Sequence, residues 1–207
     1  MSNEIYDNPS RRDFLKGMVI GAGGVAFGSM LIHSKNAMAQ SIQAYFEKVP
    51  METRWALTSD SYVRMSVLYY KALYDQGGKD KLFEYYKETA RRLAPAQKEL
   101  ADRLGFTGND AKSAAAIIST LTNVFFGPQT KFELEEATAE RAQVKCLNCT
   151  FWNTAQSMKI TDDICSPWSQ YMWDGRAKAI NPKLTATLVK ARPRGDSVCE
   201  WAFELKA

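Results

Sequence analysis

The hydrophobic period of the chain changes after Gly127 and Pro128, and this change limits the folds that the chain can adopt. Before this point, apolar residues recur with the spacing of amphipathic helices. After it, apolar and polar residues alternate, which is typical of half-buried strands. The sequence therefore predicts one α+β domain over residues 40–207. A helical half spans residues 40–128, and a small antiparallel sheet with inserted helices spans residues 129–207.

The strands of the second half predict where two cysteines point. In the last strand, over residues 199–205, Cys199 shares a face with Trp201, and acidic residues occupy the other face. An earlier strand alternates in the same way and places Cys146 beside Val144. Because side chains two positions apart lie on the same side of a sheet, we expect both cysteines to point into the core.

Glycine and proline predict the interruptions of the helical half. Gly77 and Gly78 are expected to end one helix, and Pro95 to break or restart the next. In the second half, helices are predicted over residues 150–160 and 162–180.

The N-terminus has the pattern of a bacterial export signal. The stretch "SRRDFLKG" (Ser10–Gly17) matches the twin-arginine motif, and an uncharged, glycine-rich run follows it. Ala37 and Ala39 are the small residues that a signal peptidase site requires. We expect residues 1–39 to be a cleaved signal and the mature chain to begin at Gln40. The twin-arginine translocase would then deliver the folded protein to the periplasm.

Composition excludes several functional classes. The chain has 27 basic and 23 acidic residues, and this small excess, spread along the sequence, does not indicate nucleic-acid binding. Its single histidine is His33, inside the predicted signal. The mature chain therefore lacks the residue needed for Ser-His-Asp or Cys-His catalysis and for His-ligated haem.

Four cysteines lie in the last third of the chain, and three interpretations of them stay open. An even number of cysteines in an exported protein is typical of disulfides. The Cys-x2-Cys pair and two later cysteines also suit a zinc ion or an iron–sulfur cluster. A thiol nucleophile is the third possibility. The possible metal ligands are Cys146, Cys149, Cys165 and Cys199.

The cysteine-bearing stretches resemble a known enzyme family. They read "KCLNCTFW", "DDICSPWSQYMWDGRAKAINPKL" and "LVKARPRGDSVCEWAFEL". The order of Cys146, Cys165, the Asn181-Pro182 turn and the strand from Cys199 is similar to that of the L-2-amino-thiazoline-4-carboxylic acid hydrolase family. The resemblance covers roughly residues 130–206. It implies a small cyclic substrate whose thiazoline ring is opened to N-carbamoyl-cysteine.

Ring opening of this kind suits a thiolate that attacks the carbon between nitrogen and sulfur. Without histidine, a helix N-terminus, a cation or a metal must stabilise that thiolate. Cys165 lies near the start of a predicted helix and is the expected nucleophile, with Asp163 as a proton acceptor. The predicted site consists of the catalytic residues Cys165, Cys199 and Asp163 and the substrate-binding residues Arg176, Trp168 and Trp201.

A non-enzymatic function is the alternative. The chain would then be a four-cysteine metal or iron–sulfur protein, or an accessory subunit of an exported redox enzyme. Such a subunit would keep its cysteine face structural and dock through the helical half.

Export is tested by replacing Arg11 and Arg12 with lysines. Because the twin-arginine pair is the recognised part of the signal, an uncleaved precursor should accumulate in the cytoplasm. Cell fractionation and N-terminal sequencing measure this, and the wild-type mature protein should begin at Gln40. Normal processing of the Lys-Lys variant would contradict the assignment.

Overall fold

The computed structural model describes Ala44 and residues 46–206. Residues up to Pro50 and residues from Met51 onward form separate units, and the second unit carries the fold described below.

The predicted signal peptide, residues 1–39, and its cleavage site between Ala39 and Gln40 lie outside the described residues. Within the described ranges, none of the helices combines the length and the apolar character that a membrane span requires.

The second unit has a helical N-terminal part followed by a small sheet, which confirms the predicted α+β class. The helices are α1 (Met51–Arg103), α2 (Ala111–Phe126), α3 (Thr150–Ser157) and α4 (Ser166–Ile180). The strands are β1 (Lys131–Ala137), β2 (Arg141–Asn148), β3 (Leu184–Lys190) and β4 (Cys199–Leu205).

Helix α1 consists of two helical segments that meet at Gly78, so the interruption predicted from Gly77 and Gly78 is confirmed. Gly78 leaves helical geometry, with φ 68° and ψ −171°, and the helix resumes after this kink. Pro95 lies inside α1 and does not end it, so that prediction was wrong. The physical reason is packing on each side of the proline: Ala90 and Ala94 before it lie against Gly175 of α4, and Ala101 after it is buried beside Ile117 and Leu121.

The sheet is antiparallel, with strand order β1-β2-β4-β3. Helix α4 packs between α1 and strand β3, so one sheet face is covered. Cys146 of β2 and Cys199 of β4 are direct partners across the sheet, and both side chains are buried together with Val144 and Trp201. The inward direction that the alternation predicts for both cysteines is therefore confirmed.

Aromatic side chains fill the space between the sheet and the helices. The rings of Trp173 and Trp201 stack with centroids 4.0 Å apart and an interplanar angle of 10°. The buried Tyr86 hydroxyl of α1 donates to the Ile164 carbonyl at 2.6 Å. This bond ties the start of α4 to α1, because Ile164 lies just before that helix.

The turn after α2 gives a test of the fold. Gly127 has φ 91° and ψ 171°, a region essentially confined to glycine, and an added Cβ would lie 2.2 Å from Ser59 Oγ. Gly78 has similar angles, but no atom lies within 4 Å of an added Cβ. Backbone strain alone should cost about 1–3 kcal/mol in either alanine variant. Gly127→Ala should lower the free energy of unfolding further than Gly78→Ala in urea titrations.

The Ser59→Ala background is the control, because it removes the clashing oxygen. The difference between the two glycine variants should shrink there. Equal losses for both variants in the wild-type background would contradict a role for the Ser59 contact.

Candidate functional site

Three cysteines from two chain segments line one small internal cavity. Cys146 lies near the end of β2, Cys149 precedes α3, and Cys165 precedes α4. The cavity volume is about 20 Å³, which is space for about one water molecule. The other lining residues are aromatic or carry hydroxyl groups: Thr122, Phe126, Thr130, Phe132, Phe151, Trp168, Ser169, Trp173 and Trp201.

Cys149 is the sulfur that the surroundings favour as a thiolate. The thiols of Cys146 and Cys165 hydrogen-bond to it, and these bonds are the main reason why its pKa is held well below the usual range. Its Sγ also accepts the backbone N–H of Trp152 at 3.4 Å, as the N-cap of α3. Burial opposes the lowering of the pKa. Donors and a helix N-terminus stabilise negative charge on sulfur, so Cys149 is activated.

The two neighbouring cysteines stay protonated. The pKa of Cys146 and the pKa of Cys165 are raised, first because each thiol donates to Cys149 and second because each is buried. Cys165 Sγ also lies 3.9 Å from Ser169 Oγ. Cys146 Sγ also donates to the Asn148 carbonyl at 3.4 Å. The surroundings therefore favour negative charge on Cys149 over the two neighbouring sulfurs.

Cys199 lies close to this cluster but does not line the cavity. Burial is the main reason why its pKa is raised to about 11. Its Sγ accepts the backbone N–H of Arg192 at 3.4 Å. The predicted catalytic pair of Cys165 and Cys199 is thus brought into one region, with Cys199 behind Cys146 on the neighbouring strand.

Asp163 lies at the beginning of α4. Its Oδ1 accepts the Ser166 N–H at 2.8 Å, and its Oδ2 lies 4.0 Å from Arg194 Nε. The carboxylate thereby caps the helix, since the side chain of Cys165 makes no capping hydrogen bond.

Arg176 lies in the core beside the cavity. Its side chain is buried, and burial lowers its pKa to about 10. Its Nη1 donates to Thr122 Oγ1 at 2.7 Å, and its Nε donates to Gln97 Oε1. Among the described residues, no carboxylate lies within salt-bridge distance of this guanidinium. Thr122 therefore connects a buried, uncompensated positive charge to the cavity that holds the thiols.

Both predicted tryptophans form walls of the cavity. Trp201 is buried, and its indole N–H has no hydrogen-bond partner. Trp168 separates the cavity from a surface groove of about 350 Å³, because it lines both. The other groove residues are largely aromatic and apolar: Tyr62, Met65, Ser66, Tyr69, Tyr70, Tyr85, Thr89 and Leu93.

The residues do not fit the metal interpretation. In the part of the chain that the structure describes, no group of three or more histidine, cysteine, aspartate or glutamate side chains has the geometry to hold a metal ion. All four cysteines are free thiols, so the structure contains no disulfide between them.

The sequence pattern pointed to Cys149 as a possible disulfide or metal-binding cysteine and not as the nucleophile, and it did not point to Thr122. Cys149 does carry a signal, since it follows Cys146 by three residues where strand alternation changes to helix. The sequence gives no such signal for Thr122, because its contact with Arg176 joins residues 54 positions apart.

Comparisons with known proteins agree with this architecture. The sequence model of the family described as L-2-amino-thiazoline-4-carboxylic acid hydrolase matches residues 59–203. No curated protein matches the chain.

Two solved structures are similar to the chain. One is the phenol-responsive sensory domain of the transcription activator PoxR with phenol, with a TM-score of 0.53 and 10% identity over 69% of this chain and 74% of that chain. The other is a trafficking protein particle complex subunit 3 from Naegleria fowleri covalently bound to palmitic acid, with a TM-score of 0.52 and 12% identity over 70% of this chain and 95% of that chain. At these identities the two similarities show a shared fold.

Cys149 is expected to be the cysteine that ionises first. Cys149→Ser should remove the ultraviolet thiolate absorbance that the wild-type protein shows below the ordinary thiol pKa, whereas Cys199→Ser should leave it. Because the pKa of Cys149 is lower in the folded state than in the unfolded state, its ionisation adds to the free energy of unfolding. This contribution is complete at pH values above the ordinary thiol pKa. This gain should disappear as pH falls through the lowered pKa. Spectroscopic pH titration and unfolding curves measure both effects, and a thiolate signal that persists in Cys149→Ser would contradict the assignment.

Proposed function

The chain belongs to the L-2-amino-thiazoline-4-carboxylic acid hydrolase family, and from this premise we propose that it is a thiol-dependent hydrolase of a small cyclic compound with adjacent C–N and C–S bonds. The observation that carries the proposal is the Cys149 sulfur, which accepts the Trp152 N–H at the start of α3 and lines one cavity with Cys146 and Cys165. These surroundings lower its pKa. In a mature chain without histidine, this arrangement supplies both a nucleophile and a proton donor.

The first step is ring opening. The Cys149 sulfur adds to the carbon between the ring nitrogen and the ring sulfur, and the bond from that carbon to the ring sulfur breaks. The departing sulfur takes the proton of Cys165, whose thiol already points to Cys149 through a hydrogen bond. The product of this step is an isothiourea bonded to Cys149.

The second step is hydrolysis. Water adds to the same carbon and gives one proton back to Cys165, and Cys149 leaves as a thiolate. The remaining hydroxyl proton moves to nitrogen as the carbamoyl group forms. One water is consumed, and both sulfurs return to their starting states.

In this scheme Cys149 takes the role of nucleophile, and Cys165, the nucleophile expected from sequence, acts as the acid and base. The roles are assigned in this way because the pKa of Cys149 is lowered and the pKa of Cys165 is raised. Asp163 orients Cys165 through the first turn of α4.

Arg176 is the group that we assign to a substrate carboxylate. Burying a guanidinium that has only neutral partners costs free energy of desolvation, and an anionic ligand would offset this cost. The proposal is supported by Thr122, whose hydroxyl accepts Arg176 Nη1 at 2.7 Å and which also lines the cavity. The free indole N–H of Trp201 supplies a further donor on the cavity wall.

Substrate access requires the aromatic wall to move. The cavity has space for about one water molecule, so a five-membered ring fits only after the wall opens. Trp168 is the shared wall between the cavity and the surface groove, and a change in its position would join the two spaces.

The cellular setting of the proposal is the periplasm. It rests on the twin-arginine motif and the small residues Ala37 and Ala39 of the sequence. A chain folded before translocation would reach the periplasm with its thiol cluster already assembled.

Turnover of L-2-amino-thiazoline-4-carboxylate by the thiol variants tests the proposal. Cys149→Ser should abolish turnover, because a serine hydroxyl stays protonated where the thiolate forms. Cys165→Ser should lower kcat by about 10²–10⁴-fold, the usual contribution of general acid–base catalysis. Release of the new thiol is measured with a chromogenic disulfide, and product by mass spectrometry.

The matched control is Cys199→Ser, which removes a buried thiol that does not line the cavity and should keep most of the activity. Thermal melts of each variant separate lost chemistry from lost folding. Full activity of Cys149→Ser, or no turnover by the wild-type protein with this substrate and with related cyclic amidines, would overturn the proposal.

A further inference from the structure

Cys146 and Cys149 form a pair of interacting sulfurs within four residues of chain. Cys146 lies near the end of β2, and Cys149 is the N-cap of α3. Cys146 Sγ donates to the Asn148 carbonyl at 3.4 Å, which holds this side chain at the end of β2, next to the residue that precedes Cys149. The pair borders the internal cavity, and Cys149 has the largest exposed fraction of the four cysteines, at 8%.

We propose that Cys146 and Cys149 are an oxidant-reactive dithiol, which hydrogen peroxide converts into a reversible disulfide within the Cys146–Cys149 segment. This inference is independent of the proposed hydrolase function. It concerns the redox chemistry of the two sulfurs. It is tested by the masses of tryptic peptides rather than by turnover of a substrate.

The reaction has two steps. The Cys149 thiolate attacks one peroxide oxygen and the O–O bond breaks, which gives a sulfenic acid on Cys149 and, with one proton, a water molecule. The Cys146 sulfur then attacks the Cys149 sulfur, the S–O bond breaks, and the Cys146 proton leaves with the hydroxyl group as a second water. The peroxide is reduced by two electrons, and the two thiols are oxidised to one disulfide.

The size of the cavity favours a small oxidant. Its volume of about 20 Å³ holds about one water molecule, and hydrogen peroxide is only slightly larger. Hydroxyl groups of Thr122, Thr130 and Ser169 border the same space and can hydrogen-bond a small polar molecule. An oxidant of this size needs far less space beside Cys149 than a larger ring does.

Cys146 is a better partner for Cys149 than Cys165 is. Both side chains line the same cavity, and only two residues separate the pair, so closing the loop loses little chain entropy. Cys165 has a further partner in Ser169 and belongs to a separate helix start. That start is anchored by the bond from Tyr86 to Ile164.

Tryptic peptides separate the possible products. Cleavage after Lys145 and Lys159 leaves Cys146 and Cys149 together in the peptide 146–159. Cys165 falls in the peptide 160–176, and Cys199 falls in the peptide 195–206. A disulfide within the first peptide therefore stays in one fragment, whereas a bond to Cys165 joins two fragments.

The experiment treats the reduced, purified protein with a small excess of hydrogen peroxide and then alkylates the remaining thiols in denaturant. The expected product is an unalkylated peptide 146–159 that is about 2 Da lighter than the reduced, unalkylated peptide. The peptides of Cys165 and Cys199 should be alkylated, and dithiothreitol should restore the reduced form. In Cys146→Ser, the oxidation should stop at sulfenic acid on Cys149, which dimedone captures.

Cys199→Ser is the matched control and should form the disulfide like the wild-type protein. The proposal is overturned if peroxide leaves both thiols of peptide 146–159 free. It is also overturned if peptides 146–159 and 160–176 become joined, or if Cys149 proceeds to sulfinic acid while Cys146 stays reduced. The formation of the disulfide is measured whether or not the protein turns over any cyclic substrate.

Discussion

Helix α3 begins where strand β2 ends, with only Cys149 between Asn148 and Thr150, and the thiol cluster depends on this junction. A strand that continues into a helix within one residue brings the unpaired N–H groups of the first turn next to the junction side chain. Hydrogen bonds hold both flanks: Asn148 Nδ2 donates to the Gln129 carbonyl at 2.6 Å, and Thr150 Oγ1 donates to the Phe126 carbonyl at 3.0 Å. The path of the backbone alone therefore brings the Cys149 sulfur within 3.4 Å of the Trp152 backbone nitrogen, whose N–H it accepts.

The core contains two charged groups that are stabilised by neutral partners. The sulfur of Cys149 relies on two thiols and backbone N–H groups, and the guanidinium of Arg176 relies on Gln97 and Thr122. Dipoles reduce the desolvation penalty of a buried charge, but they do not replace a counter-ion. A ligand that brings a carboxylate to Arg176 and an electrophilic carbon to Cys149 complements both groups at once. Under the proposed function, this complementarity would connect the family's substrate to the site.

The sequence predicted the features that depend on local pattern. Alternation predicted the strands and the buried faces of Cys146 and Cys199, because a sheet has one fixed side-chain period. It did not predict the start of α4, expected at residue 162 and found at Ser166, where the Asp163 side chain caps the helix. Nor did it identify Cys149 as the thiolate. Its pKa is lowered first by Cys146 and second by Cys165. The spacing of Cys146 is visible in the sequence, but Cys165 is 16 residues away in the chain and no local pattern reports that contact.

Hydrolysis and oxidation would use the same sulfur, and the cavity distinguishes the two reactants by size. Peroxide needs little more than the space that is already present, whereas a ring substrate needs the wall formed by Trp168 and its neighbours to open. Once a ring occupies the widened space, it covers Cys149 and excludes the oxidant. A disulfide between Cys146 and Cys149 in turn removes the nucleophile and one of its two thiol donors. The two reactions are therefore mutually exclusive at any one moment, because both require the electron pair of the Cys149 thiolate.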